Sequence, residues 1–447
     1  MLAGQVDSGS LGRDRGVLHE MKEQLDVVRP LTKWCQRVTE PAAIPAAIHE
    51  AFDHMRSGRP RPTEVEIPSD VLAATTETDQ RPWPERAPMR PDAQQIQRVV
   101  TLLQQANKPL IWTGGGVIGA EASQELVALA APVATTTEGR GSIPEDHRLA
   151  LGVGIFSHGA PTWAMPQADV ILAVGTRLTE PVPRLAGLNR PHDGQRLIHL
   201  DIDPTVIGHT YPTDVAVVAD AREGLQALLD ETQQHTLCRS RWPMAELRAI
   251  RHLHQQWVRT NAPDQCDILA RMQGVLSDDT ILVSGVTNLG YWSYYAYCVR
   301  QPRTYLTSSY FVTLGFSFPL ALGAKIGAQD RPVVALCGDG GFMYALPELA
   351  TAVQYNINTV TVVFVDDAFG APKQDQLRRY NRRVTGTELH NPSFADIARS
   401  FGAHGVRVTP DRIDEALQEA LNEPRPSVIE VPVPNWAPPF LMAPRAA

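Results

Sequence analysis

No apolar run in this chain approaches the ~20 residues that cross a bilayer as a helix, so a helical membrane span is not expected. A long basic run is also lacking. With a formal net charge of -8, that argues against nucleic acid as the main partner, since gripping phosphates needs clustered Lys and Arg. The opening MLAGQVDSGSLG lacks the basic-then-apolar order of a secretory signal, and none is expected. Cysteine is sparse, odd in number and scattered (Cys35, Cys238, Cys266, Cys298, Cys337), with no CxxC pair. That pattern suggests neither a disulfide framework nor a thiolate zinc site, and a reducing cytoplasm is the expected home. The thirteen histidines show no metal-ligand spacing; His252 and His254 sit in an Arg-rich helical stretch and read as solvated surface. LRRYNRR (377–383) reads as a loop flank. Internal repeats and low-complexity segments are absent. What remains is ordinary for a globular protein of two or three domains: 447 residues, 43% hydrophobic and 20% charged.

Two stretches read as breaks. Residues 73–92 are rich in Pro and charge without a helical or strand period, and residues 233–262 are polar and His/Arg-rich, ending in Asn261-Ala-Pro. They divide the chain into 1–72, 93–232 and 263–447. The first piece offers an amphipathic helix near 42–57 and one obvious strand, TEVEIP (63–68). That is too little for a comfortable independent core. The middle piece alternates strands PLIWT (109–113), PVATTT (132–137), VILAVG (170–175) and LIHLDID (197–203) with helical stretches. The last piece repeats the style with TILVSG (280–285), PVVALCG (332–338), TVTVVFV (359–365) and SVIEVPV (427–433). Such alternation predicts parallel, doubly wound α/β sheets.

Chemistry concentrates in 332–370. One apolar strand ends in Gly338-Asp339-Gly340-Gly341; after a helix, a second ends in Asp366-Asp367. Both acidic ends fall at the C-terminal edge of a parallel sheet, where open α/β sheets bind ligands. The glycines allow a phosphate to approach the backbone closely. Asp339 and Asp366 are hard oxygen ligands that, with diphosphate oxygens, water and a main-chain carbonyl, could complete the octahedron Mg2+ requires. A lone GDG is a common turn; the second Asp after an intact strand–helix–strand unit gives it weight.

This segment resembles the thiamine diphosphate (ThDP)-binding motif of the superfamily of acetolactate synthase, benzoylformate decarboxylase and pyruvate decarboxylase. That motif places its second metal-binding residue, an Asn or Asp, 27 positions after the Asp of GDG, which is Asp366 here. The resemblance implies a third ligand from the carbonyl of Ala368. It also covers TYLTSSYFVTLGFSFPLALGA (304–324), where Leu314 matches the apolar wedge beneath the cofactor and Val312 stands where the family usually has Gly. Packing in a core is the plainer role for Leu314. In SGVTNLGYW (284–292), Thr287 and Asn288 match residues near the diphosphate. NPSFADIARSFGAHGVRV (391–408), GRGSIPEDH (139–147) and ADVILAVGTRL (168–178) extend the likeness over the chain.

The resemblance implies two Rossmann-like parallel-sheet domains, a central one at 93–232 and a diphosphate/Mg-binding one at 263–447. They would follow the C-terminal part of a pyrimidine-binding (PYR) domain at 1–72. It implies ThDP and Mg2+ as cofactors, and decarboxylation and carboligation of 2-oxo acids, with acetolactate synthesis foremost and other decarboxylases or carboligases as alternatives. The family's glutamate that contacts the pyrimidine ring would precede Met1; Glu20, Glu23, Glu40 and Glu50 do not match it. Three expectations follow: a piece of an ordinary homodimeric or tetrameric enzyme, a split enzyme whose partner chain supplies the other half, or a subunit that binds without turnover. A competing signal is Gly114-Gly-Gly116-Val-Ile-Gly119 with Glu138 beyond it, a dinucleotide fingerprint that would suit FAD or another nucleotide. A Rossmann-like central domain can also keep such a turn without using it.

Overall fold

The computed structural model describes residues 1–77, 82, 87–156, 158–179, 194–233, 242–308 and 310–442. It divides into two compact units, Met1–Met89 and Arg90–Ala447.

In the first unit, β1 (Leu2–Gln5), β2 (Trp34–Arg37) and β3 (Thr63–Pro68) form a parallel sheet in the order β1-β3-β2. The sequence offered only β3. The other two strands have four residues each, too short to carry a legible alternation. Val65 and Ile67 of β3 pack with Ala47 and Ala51 of helix Ile44–Arg56. Glu64 and Glu66 point to the opposite face, as period-two alternation requires, and Glu66 pairs with Arg37.

The second unit holds two six-stranded sheets, both fully parallel. The first comprises β4 (Pro109–Thr113), β5 (Val133–Thr135), β6 (Ala150–Val153), β7 (Val170–Val174), β8 (Arg196–Asp201) and β9 (Val215–Val218), ordered β6-β5-β4-β7-β8-β9. The second comprises β10 (Ile281–Ser284), β11 (Tyr305–Thr307), β12 (Val333–Gly338), β13 (Val360–Val365), β14 (His404–Arg407) and β15 (Ser427–Pro432), ordered β11-β10-β12-β13-β15-β14. Their central strands are nearly continuous Val, Leu and Ile because helices cover both faces. Helix Ala93–Gln105 shows the local logic: Asp92 caps its first N–H groups, and Ile96, Val99, Val100 and Leu103 form the buried stripe.

The stretch read as a break at 233–262 contains an 18-residue helix, Met244–Asn261. Its polar composition hides two separate apolar contacts. Leu247 and Ile250 enter the core of the first sheet, whereas Trp257 and Val258 enter that of the second. His254, expected at the solvated surface, is packed against Trp163, Trp257 and Tyr295. Its place on the same face as Trp257 and Ile250 accounts for this. Among the described residues, no helix is long and apolar enough to cross a membrane.

Candidate functional site

In the first six-stranded sheet the chain reverses its direction of travel between β4 and β7, and in the second one such reversal falls between β10 and β12. A crevice opens outside the carboxyl ends of strands at such a point. The two crevices differ. In the first, the Gly114–Gly116 turn lies directly on Gly175 and Thr176; a Cβ at Gly116 would sit 2.6 Å from the Gly175 Cα. Packing of one main chain on another explains these glycines, with no nucleotide required.

The second crevice is open. A cavity of about 270 Å³ lies beyond β10, β12 and β13. All ten residues singled out in the sequence line it: Thr287 and Asn288 after β10, Val312 and Leu314 before helix Ser317–Gly327, Gly338 to Gly341 after β12, and Asp366 and Ala368 after β13. Leu314 is 36% exposed, so it is not a core residue. Val312 has φ 52°, a left-handed conformation that costs a β-branched residue steric strain and suits the glycine common at the matching position. Gly340 has no room for a side chain, since a Cβ would stand 2.7 Å from the Phe369 ring; a Cβ on Gly341 would meet nothing nearer than 3.8 Å.

Both carboxylates are held by amides. Asp339, 2% exposed, accepts from the Gly340 N–H at 2.7 Å and from Asn391 Nδ2 at 2.7 Å. The same Asn391 nitrogen reaches Asp367 at 2.9 Å. Asp366 accepts from Asn435 Nδ2 at 2.7 Å. Burial raises the Asp339 carboxyl above its ordinary range, against the opposing pull of those hydrogen bonds. Burial also pushes Asp366 up to about 6, with Asp339 adding like-charge repulsion and Asn435 opposing. Among the described residues, no Lys, Arg or His lines the cavity. One buried and one half-buried carboxylate without a cationic side chain are the donor set a divalent oxygen-loving ion would neutralise. No cluster of three His, Cys, Asp or Glu side chains suited to a metal occurs among the described residues, so further ligands would be main-chain, solvent or substrate oxygens.

Asn288 is less free than its sequence suggested: it donates to the Trp436 carbonyl at 2.9 Å and accepts from Gln265 at 3.1 Å. It opens helix Asn288–Ala296, whose far end is clamped by Arg140. This guanidinium, 2% exposed, pairs with Glu145 at 2.7 Å, donates to the carbonyls of Ser293 at 3.2 Å and Tyr297 at 2.5 Å, and lies over the Tyr305 ring. A cation there also suits the helix dipole. The clamp ties the loop after β5 to the helix bordering the cavity. Arg140 and Asn391 fall within the resembling segments 139–147 and 391–408 but had no role legible there, and Asn435 none at all, because the groups they position (Ser293, Asp339 and Asp366) lie far along the chain.

Comparison with known proteins follows the same division. Residues 96–228 match the family model described as "Thiamine pyrophosphate enzyme, central domain". Residues 285–431 match "Thiamine pyrophosphate enzyme, C-terminal TPP binding domain". The chain is 31% identical to a "Probable acetolactate synthase large subunit" of Methanocaldococcus jannaschii, over 96% of this chain and 76% of that protein. It is 34% identical to a "Probable 2-ketoarginine decarboxylase" of Pseudomonas aeruginosa, over 91% and 72%. It is 32% identical to an "Acetolactate synthase large subunit" of Corynebacterium glutamicum, over 96% and 71%.

Proposed function

The chain belongs to the thiamine pyrophosphate enzyme family, and on that premise we propose that it decarboxylates 2-oxo acids and joins the product to an acceptor, with ThDP and Mg2+ at the cavity beyond β10, β12 and β13. Acetolactate formation from pyruvate is the favoured form, because relatives with that assignment align over nearly the whole chain. The observation that carries the reading is the pair of buried Asp339 and half-buried Asp366 facing an open glycine turn, with no cationic side chain among the lining residues.

The residues present fit the cofactors. Asp339, Asp366 and the Ala368 carbonyl would hold Mg2+, and the Gly338–Gly341 turn would take the diphosphate. Leu314 would support the rings from below, with the Val312 carbonyl near the pyrimidine. When bound, ThDP supplies an electron sink for breaking the bond next to a carbonyl. The protein's own share is orientation and a dry surround. Leu314 and Phe369 give the cavity apolar wall, which strengthens the electrostatics of the carboxylates. The Arg140 clamp keeps helix Asn288–Ala296 in place beside them. A second reading, decarboxylation of a different 2-oxo acid, draws on the 34% identity to the 2-ketoarginine relative.

Tryptophan fluorescence tests the binding step, since Trp292 and Trp436 lie on segments joined to Asn288. ThDP should quench only with Mg2+, and Asp339→Ala or Asp366→Ala should remove the effect. Equal quenching by both variants would count against the site. Release of CO2 from pyruvate then separates a catalyst from a chain that only binds.

A further inference from the structure

The two carboxylates are oriented in different ways. Asp339 takes one hydrogen bond from the N–H of its own neighbour, Gly340, at the start of the helix, and a second from Asn391, whose amide is shared with Asp367. Asp366 takes a side-chain hydrogen bond from 69 residues further on: Asn435 Nδ2, at 2.7 Å from Oδ2. Asn435 lies beyond β15 and is absent from the cavity lining. Its own amide is set by Gln374 of helix Gly370–Arg379. Gln374 Nε2 donates to Asn435 Oδ1 at 2.9 Å and to the Asn435 main-chain carbonyl at 2.7 Å. With its oxygen engaged, the Asn435 amide has one orientation in which its nitrogen faces Asp366.

Gly370 completes the arrangement. A Cβ there would stand 2.5 Å from Asp366 Oδ2 and 2.7 Å from Asn435 Nδ2. Its φ is not left-handed, so conformational freedom is not the reason for glycine. Space for this one hydrogen bond is.

We infer that Asn435, oriented by Gln374 and given room by Gly370, is a positioning residue that occupies Oδ2 of Asp366 and presents Oδ1 to a divalent cation. The inference rests on the reading of this cavity as the ThDP/Mg2+ site. Partners behind a metal ligand fix its rotamer and typically change metal affinity roughly 10–100-fold when removed. Asn435 is such a partner, and Gln374 acts through it.

The test is Mn2+ binding to the full chain at saturating ThDP, read by electron paramagnetic resonance, with thermal midpoints of the apo chains alongside. Asn435→Leu should weaken Mn2+ roughly 10–100-fold. Gln374→Ala should weaken it less, and the double variant no more than Asn435→Leu alone, because the two act in series. A purely structural role would lower the midpoint and leave Mn2+ affinity intact, which overturns the inference, as do effects that multiply. Should Asn435→Leu not fold, half-buried Gln374→Ala decides by itself: weakened Mn2+ supports the inference and unchanged Mn2+ refutes it. A wild-type chain without ThDP-dependent Mn2+ binding overturns the functional reading, and this inference with it.

Discussion

Replacing Asp366 by Asn should make the metal-free protein more stable and its metal binding weaker. Asp366 is half-buried beside Asp339, and its carboxyl rises from 3.8 to about 6, first through burial. The folded chain therefore holds the proton more tightly than the unfolded chain. Its contribution to stability is greatest below pH ~4, declines as pH climbs to about 6, and stays lost above that. Moving a carboxyl that far corresponds to roughly 3 kcal/mol. Solvent at this partly exposed group reduces the figure to about 1–2 kcal/mol. Asp366→Asn keeps an oxygen for Asn435 and removes the charge, so at pH 8 without metal the variant should gain about 1–2 kcal/mol. At pH 4 the two proteins should coincide. Urea unfolding of both chains at pH 4, 6 and 8, in chelator and then in Mg2+ with ThDP, measures this. With cofactors the order should invert, because wild type alone retains the full ligand charge. A variant less stable than wild type at pH 8 in chelator would refute the claim that the pair is electrostatically strained.

Two further outcomes follow from buried charge. Arg140→Ala leaves Glu145 in a nearly closed site without its cation, which should cost about 3–5 kcal/mol. Hydrogen exchange should show helix Asn288–Ala296 loosening from its Ser293 and Tyr297 end; protection there equal to wild type would refute the clamp. His158, 5% exposed and stacked on Trp257, is held neutral by burial down to about 4. The unfolded chain takes up that proton below about 6.5, so the stability His158 contributes is complete above that pH and is lost as pH falls towards 4, by roughly 3 kcal/mol. His158→Phe should retain the stack and flatten this acid slope in urea titrations. An unchanged slope would show that the ring is solvated.

The amino-acid order alone determined the strand runs and the positions at which they end. Stretches such as 333–337, wholly apolar, and Val360–Val365, apolar but for Thr361, are long and end in Gly or Asp, so local pattern and burial on both faces agree. For the same reason the GDG turn and Asp366 were legible as a candidate site. Short strands β1 and β2 were not, because four residues carry no period, and the packing of helix Met244–Asn261 was not, because its one sparse apolar face is shared between two cores and set in polar sequence. Tertiary structure decided which glycine turn is open. Gly114–Gly116 and Gly338–Gly341 look alike as sequence; one is filled by Gly175 and the other faces a cavity. It also decided how the carboxylates are held, since Asn391, Asn435 and Arg140 reach their partners across 52, 69 and 153 residues. Hydrogen bonds of that range depend on where the sheet brings its strand ends, which no local pattern encodes.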